Sequence, residues 1–243
     1  PETWFWPYWT LQRLPVGTNL VEDLFTESLE HPLFDDFWAS KVAALERIRV
    51  PAYVVASWTD HGLHTRGTLE GFKRIRSALK WLEIHGDKKW AYYYRPESRE
   101  RQFAFFERFL RGRPTEVEDW PRVRAFVRQA GTAGRWRTFD HWPVPEVRGL
   151  RLYLDLERGT LTETLPGSVT SRWYLATSAG VDRLRRPLGR LVCDYRFAEP
   201  VEVAGPMRLH LWVAPLDTDD ADLFVGIQKI DREGQLVTFP HYA

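Results

Sequence analysis

Apolar residues change their spacing along this chain, and the change separates two parts. Up to about residue 113 they recur at helical spacing or form short continuous runs. Residues 18–47 have the helical spacing, interrupted by Pro32, which cannot continue a helix. Asp35 or Asp36 is expected to cap a second helix, because short polar side chains bond the free N–H groups of a first turn. The chain is therefore predicted to open with a helical segment in two pieces.

Two apolar runs that follow are predicted to be buried strands of a parallel sheet. Residues 49–60, RVPAYVVASWTD, are β-branched and do not alternate with polar residues, which is typical of a strand buried on both faces. A helix is predicted over 67–79 and a second strand over 79–86, LKWLEIHG. An amphipathic helix over 98–112 then ends at Gly112, the residue type that favours a helix C-cap. Strand and helix alternating over short links indicate βαβ units.

The pattern becomes strand and turn from residue 121 onward. Short runs rich in β-branched and aromatic residues, such as RVRAFVRQ and VEVAGPMRLHLWV, are separated by Gly, Pro and Asp. The DREG segment at 231–234 lies between two such runs and predicts a hairpin turn. Together these runs predict an all-β sandwich.

Composition narrows the function classes. The 243 residues carry a net charge of +1, which argues against nucleic-acid or membrane binding driven by bulk charge. No apolar run reaches the roughly 20 residues that span a bilayer. A single cysteine, Cys193, excludes an intrachain disulfide and a cysteine-based zinc cluster. The 12 tryptophans favour core and interface packing over ligand platforms such as PETWFWPYW and KKWAYYY.

The candidate chemistry lies at the ends of the two predicted strands. Asp60 ends the first strand and His85 ends the second, in the order acid then histidine that a Ser-Asp-His hydrolase on an α/β sheet requires. In such a triad the histidine accepts the serine proton and the buried acid orients and stabilises the imidazolium. From spacing alone a structural interpretation is favoured, in which Asp60 caps the next helix and His85 is a satisfied strand-end residue.

The nucleophile of such a triad is not found in the chain. No G-x-S-x-G motif occurs, and Ser57 lies inside the first strand without flanking glycines. The first residue, Pro1, and the strand-like final residues suggest that the sequence is an internal part of a larger protein. We therefore expect the serine to lie upstream of Pro1.

Three stretches resemble the CocE/NonD family of serine hydrolases, which includes esterases and X-Pro dipeptidyl-peptidase-like enzymes. Residues 31–63 resemble the passage from helical cap to acid-bearing strand, with Asp60 in the acid position. Residues 105–112, FFERFLRG, resemble the last helix of the catalytic domain. Residues 197–237 resemble the C-terminal jelly-roll domain and are the most specific of the three.

The resemblance implies an α/β plus all-β fold: a partial α/β-hydrolase unit followed by a jelly-roll-like β-sandwich. The implied domains are a helical cap remnant at 1–45, the second half of the α/β-hydrolase core at 46–113 and an incomplete sandwich at 114–243. The family cleaves esters, amides or X-Pro peptides without metal or cofactor, so none is expected here. One departure concerns the base: the family histidine aligns with Lys89, and we assign the role to His85, the one imidazole of that segment.

Other polar groups give weaker signals. Trp58 and His61 flank the acid and are candidates for lining a substrate pocket. His61 and His64 could form a metal site with Asp60 only if a further ligand were present. We favour the interpretation that they are loop residues or line a pocket. An acidic cluster suggests calcium but lacks the EF-hand glycine and glutamate, and an inter-strand loop is favoured there. It comprises Asp217, Asp219, Asp220 and Asp222.

Two functions from different classes remain open at this point. The first is part of a serine hydrolase acting on a small ester or amide, or an X-Pro peptide, with Asp60 and His85 as acid and base. The second is a non-enzymatic β-sandwich module that binds carbohydrate or another ligand and carries a degenerate α/β remnant. The expected partners are the substrate, the complementary N-terminal part and another copy of the chain, but no nucleic acid or membrane. The expected location is the cytoplasm.

Overall fold

The computed structural model describes residues 24–62, 64–145, 148–174, 180–181, 187–216, 218–219, 221 and 223–239. Contacts between residues divide the chain into two compact units, Pro1–Ile48 and Arg49–Ala243. No helix in the described ranges is both long enough and apolar enough to cross a membrane.

The described part of the first unit, residues 24–48, contains two short helices. Helix α1 spans Leu24–Glu30 and helix α2 spans Asp36–Ser40, so the predicted break at Pro32 is confirmed. Asp35 caps α2 as predicted, because its carboxylate accepts hydrogen bonds from the first-turn N–H groups of Phe37 and Trp38 at 3.1 and 3.3 Å. The second helix is shorter than its apolar pattern predicted, and a separate 3₁₀ turn follows at Leu45–Arg47.

The second unit holds three helices and ten strands in its described part. The helices are α3 (Thr65–Arg74), α4 (Lys89–Tyr93) and α5 (Pro96–Arg111). The strands are β1 (Ala52–Ser57), β2 (Lys80–His85), β3 (Val123–Ala130), β4 (Ala133–Phe139), β5 (Tyr153–Asp155), β6 (Thr160–Thr162), β7 (Gly180–Val181), β8 (Pro187–Leu188), β9 (Lys229–Ile230) and β10 (Leu236–Val237). Helix α4 has no counterpart in the sequence prediction.

The main sheet has the order β1-β2-β3-β4. Strands β1 and β2 are parallel, with a register that runs from Ala52 opposite Lys80 to Ser57 opposite His85. Strand β3 joins β2 in parallel, and β4 returns antiparallel to β3. The predicted βαβ unit is therefore present, and the sheet continues past residue 114, where the sequence predicted a new domain.

Strand β2 is covered on both faces, as its continuous apolar run predicted, whereas β1 is only partly buried, with Val55 41% exposed. On one face, Leu82 and Ile84 of β2 pack with Ala56 of β1, Phe72 of α3 and Val123 of β3. On the other face, a second cluster lies against α5 and the 3₁₀ turn at Glu116–Asp119. Its buried members are Trp81, Ala104, Phe105, Val117 and Trp120. Successive β2 residues alternate between the two clusters, so the strand has no solvent face.

The helix ends follow their local chemistry. Helix α5 stops at Gly112, whose φ of +68° lies in the left-handed region, so the predicted C-cap is confirmed. Helix α3 was predicted to reach Leu79 but ends at Arg74, because Ile75 leaves helical geometry with ψ of 126°. Lys80 Nζ donates to the carbonyls of Phe72 and Ile75 at 2.8 and 2.7 Å, which satisfies acceptors at that end of the helix.

The remaining strands form small antiparallel pairs: β5 with β6, β7 with β8, and β9 with β10. The predicted DREG hairpin is confirmed between β9 and β10, with Gly234 at φ of +83°. Residues 201–215 were predicted as strand but form no hydrogen-bonded strand in the structure. A strand needs a neighbour to satisfy its backbone groups, and this segment has none among the described residues. The C-terminal part is therefore β-rich with few paired strands.

Candidate functional site

Asp60 reaches the carboxyl end of the sheet through a short turn after β1. A 3₁₀ turn at Trp58–Asp60 follows the strand, and the Ser57 side chain caps it by accepting a hydrogen bond from Thr59 N at 3.1 Å. Thr65 Oγ1 donates to Ser57 O at 2.5 Å, which fixes the start of α3 to the end of β1. The carboxylate of Asp60 is buried, and its side chain does not cap α3, whose N-cap residue is His64.

The loop after β2 is fixed against this turn. Because β1 and β2 are parallel neighbours in register, both loops leave the same edge of the sheet. The carbonyl of Asp87 accepts hydrogen bonds from Ser57 Oγ at 2.5 Å and from Thr59 Oγ1 at 3.1 Å. Ser57 is thus a buried structural hydroxyl that ties the two loops together.

The partner of the Asp60 carboxylate is a lysine. Lys89 Nζ, on the first residue of α4, donates to Asp60 Oδ2 at 3.0 Å. The lysine side chain is 37% exposed and the Asp60 side chain is 7% exposed, so the amine lies on the solvent side of the carboxylate. The pair joins the loop after β1 to the loop after β2.

Asp60 and His85, the predicted acid and base, share no hydrogen bond among the described contacts. His85 is 1% exposed, and its ring stacks on Tyr92 with centroids 3.8 Å apart. Its Nδ1 accepts a hydrogen bond from Asp87 N at 3.3 Å. A triad requires the reverse arrangement, with Nδ1–H donating to the acid and Nε2 free to accept. The sequence singled out His85 by residue type, but its position at the strand end turns the ring into the packed interior.

Burial also controls the charge of His85. It lowers the pKa of the imidazole from 6.5 to about 4, and the Arg95 charge acts in the same direction. The carboxylates of Asp87 and Glu83 oppose this shift without overcoming it. His85 is therefore neutral at physiological pH, with the proton on Nε2 because Nδ1 is an acceptor.

Trp58 and His61, the predicted pocket residues, occupy different environments. The Trp58 indole N–H donates to Phe126 O at 2.9 Å and its ring lies 6.5 Å from that of Trp142. It is half-buried and ties the turn after β1 to strand β3. His61 is exposed, with Nδ1 3.3 Å from Trp58 O. Trp58 thus has a structural contact, and a pocket-lining role for either residue stays a prediction.

The two metal sites that the sequence analysis considered but did not favour have no direct support in the described ranges. Three potential ligands lie within 4.8 Å of one another at Glu27, Glu30 and His31, which are partly or fully exposed in the first unit. Among the described residues, His61, His64 and Asp60 do not form a group of ligand atoms close enough to share one ion. Most of the acidic cluster considered for calcium, Asp217, Asp220 and Asp222, falls outside the described residues.

A cavity of about 260 Å³ opens beside the loop after β2. Tyr92, Phe126 and Trp136 supply aromatic walls, and Arg95 and Arg128 supply positive charge. Arg95 forms an ion pair with Asp87 at 3.0 Å. The cavity therefore shares Asp87 with the hydrogen bonds that fix the candidate site.

Sequence reasoning missed a buried polar group in β2. Glu83 is 1% exposed and accepts the Tyr92 hydroxyl hydrogen bond, while Arg101 and Arg124 Nε lie 3.0 and 3.5 Å from its Oε2. Neither guanidinium meets Oε2 with hydrogen-bond geometry, so their attraction is that of nearby opposite charges. The signal in the sequence is an acid inside an otherwise apolar run, KWLEIH, which demands an internal partner.

Comparison with known proteins shows the family to which this chain belongs. Residues 115–238, about half of the chain, match the model of the X-Pro dipeptidyl-peptidase C-terminal non-catalytic domain. Two crystal structures of a CocE/NonD family hydrolase from Staphylococcus aureus match with 40% and 39% identity, over 59% and 66% of this chain. Their TM-scores are 0.57 and 0.60. The chain belongs to the CocE/NonD family.

The CocE/NonD relatives are much longer than this chain. Cocaine esterase from Rhodococcus sp. (strain MB1 Bresler) is 26% identical over 189 residues, which is 68% of this chain and 32% of the esterase. The matched shares of the two Staphylococcus aureus structures are 26% and 29%. This CocE/NonD chain thus spans about a third of the length of the curated relative it matches.

Proposed function

We propose that this chain is part of a serine hydrolase that acts on ester or amide substrates, including X-Pro peptides. In this proposal the chain supplies the acid and the base of a catalytic triad, and the serine lies upstream. The relatives support the reaction class, since they are named as an esterase and as hydrolases. The β-rich region after residue 115 is proposed to be the jelly-roll-like domain of such an enzyme.

One observation carries the proposal. The buried carboxylate of Asp60 stands at the carboxyl edge of a parallel sheet, and it binds a proton-carrying side chain from the loop that follows the neighbouring strand. This is where a serine hydrolase on an α/β sheet keeps its acid and base. The acid there orients the base and stabilises the charge that the base acquires when it takes the serine proton.

The test is substitution of the acid in the full-length protein. Asp60→Asn keeps the size of the side chain but removes the charge, so kcat/KM for p-nitrophenyl acetate should fall by about 100-fold or more. Asp140→Asn, at an exposed carboxylate of the same unit, is the matched control and should leave turnover unchanged. Labelling by a fluorophosphonate reports the serine directly. An unlabelled, inactive full-length protein would contradict the proposal.

A non-enzymatic role is the second candidate. The matched domain model is described as non-catalytic, and it covers about half of the chain. A β-sandwich module that binds carbohydrate or another ligand beside a degenerate α/β remnant would carry no reactive serine. In that case the full-length protein would not be labelled by the fluorophosphonate. Its ester turnover would equal that of buffer alone, and Asp60→Asn would not change it.

A further inference from the structure

Beside Asp60, an amine occupies the place where a hydrolase of this kind holds an imidazole. Lys89 Nζ lies 3.0 Å from Asp60 Oδ2, whereas His85 bonds and packs elsewhere. We infer that Lys89, and not His85, is the base of the candidate site. This inference rests on the proposed hydrolase function and specifies which residue handles the proton.

The surroundings of His85 do not allow it to act as base. Its Nδ1 lone pair already accepts the Asp87 N–H, which leaves the proton on Nε2. One ring face is covered by Tyr92, with the planes only 10° apart. A residue that is 1% exposed and has no nitrogen ready to accept a proton cannot receive one from an arriving nucleophile.

The position of Lys89 satisfies those requirements. Its side chain is partly exposed, and it is held from behind by a buried acid. Its amine lies 3.0 Å from Asp60 Oδ2 of the loop after β1 and 5.4 Å from the centroid of the Trp90 ring. Asp87, in the same loop, is paired with Arg95 at 3.0 Å, and the buried Asp60 carboxylate bonds the Lys89 amine directly.

The chemical step balances with an amine as base. The neutral Nζ accepts the proton of the serine hydroxyl as the serine oxygen bonds to the substrate carbonyl carbon, and the carbonyl electron pair moves to its oxygen. The resulting ammonium then gives that proton to the leaving alkoxide or amine as the carbon–heteroatom bond breaks. Water repeats the sequence on the acyl-enzyme and releases the acid.

The ion pair gives this base a distinct pH dependence. A carboxylate 3.0 Å away stabilises the ammonium form, and an ammonium cannot accept a proton. Turnover should therefore rise as the pH is raised above neutrality, because only the neutral amine can accept the serine proton. A histidine base would instead reach its plateau near neutral pH.

The decisive variant is Lys89→Arg in the full-length protein. Arginine keeps the positive charge and the ion pair with Asp60 but does not lose its proton, so stability is retained while kcat falls by about 100-fold or more. Lys88→Arg is the matched control on the preceding residue and should keep full activity. Lys89→His should restore turnover with a midpoint shifted toward about pH 6.5.

The outcomes separate the two proposals. A full-length protein that turns over ester and labels with a fluorophosphonate, but whose Lys89→Arg variant is inactive, supports Lys89 as base. Full activity in Lys89→Arg, or a wild-type pH profile with its midpoint near 6.5, overturns Lys89 while leaving the hydrolase function intact. If the wild-type protein is neither labelled nor active, the hydrolase function is overturned, and the proposed role of Lys89 is overturned as well.

Discussion

The ring of Tyr92 lies flat on the ring of His85, with centroids 3.8 Å apart and planes 10° apart. The Tyr92 hydroxyl continues the contact by donating to the buried Glu83 carboxylate. Three polar residues from β2 and α4 thus form one packed layer behind the candidate site. The layer holds α4 against the sheet, and α4 begins with Lys89.

The first prediction concerns acid stability. The pKa of His85 is about 4 in the folded protein and 6.5 in the unfolded chain. Between these two pH values the unfolded chain therefore binds more protons than the folded protein. Stability therefore falls as the pH is lowered from about 6.5 to about 4, by about 3 kcal/mol from this residue alone. Below that window His85 contributes no further change.

The measurement is the melting temperature of the full-length protein against pH. His85→Gln removes the titrating group, so the loss between pH 6.5 and 4 should be smaller in the variant than in the wild-type protein. The difference between the two curves isolates His85 from the other ionisable groups. Parallel curves would show that the imidazole has the same pKa in the folded and the unfolded state.

The second prediction concerns the tyrosine. Tyr92→Phe keeps the stack on His85 but leaves the Glu83 carboxylate without its hydroxyl donor, which should cost about 1–3 kcal/mol. Tyr93→Phe is the matched control, because that side chain is 54% exposed and should change stability by less than about 0.5 kcal/mol. Urea unfolding of both variants checks the result, and equal midpoints would contradict a structural role for the Tyr92 hydroxyl.

The third prediction compares two glycines. Gly112 has a φ of +68°, so Gly112→Ala should destabilise the protein by about 1 kcal/mol through backbone strain. Gly67 lies inside α3, is exposed and has open space around the position of a Cβ. Gly67→Ala should therefore stabilise by about 0.5–1 kcal/mol. Thermal unfolding tests the opposite signs, and a shift in the same direction for both would refute this explanation.

The fourth prediction concerns the 243-residue chain by itself. If the serine lies upstream, the isolated chain has no hydroxyl for the base to activate and forms no acyl-enzyme. It should neither hydrolyse p-nitrophenyl acetate nor label with a fluorophosphonate, whereas the full-length protein should do both. Labelling of the isolated chain would place the nucleophile among its own serines.

The parts of the fold that follow from local pattern were predictable from the sequence. The continuous apolar runs gave β1 and β2, and Asp35 and Gly112 marked helix ends by their own chemistry. Helix α4 was missed because KWAYY is five residues long and its aromatic residues show no helical period. The segment at 201–215 has the composition of a strand, but pairing depends on a distant neighbour that composition does not specify.

The sequence predicted where the candidate site lies in the fold, but it did not predict which residue contacts Asp60. Asp60 was found because a carboxylate after a buried strand is conspicuous. Its partner was assigned to His85 by residue type, whereas the choice depends on direction. His85 is the last residue of β2 and faces inward, and Lys89 stands one short loop later, with a side chain long enough to reach back.

The pairing of β2 with β3 limits where this protein can be divided. Val123 and Ala125 lie inside the region matched by the non-catalytic domain, yet they pair in register with Leu82 and Ile84 of β2. An exchange of that domain between relatives with a crossover at residue 114 would replace the strand beside β2 and disturb the buried cluster between them. A crossover after Phe139, where β4 ends, would instead transfer the domain and leave the sheet with its own strands. Chimaeras joined at the two positions should therefore differ in soluble yield, although the junctions are only a hairpin apart.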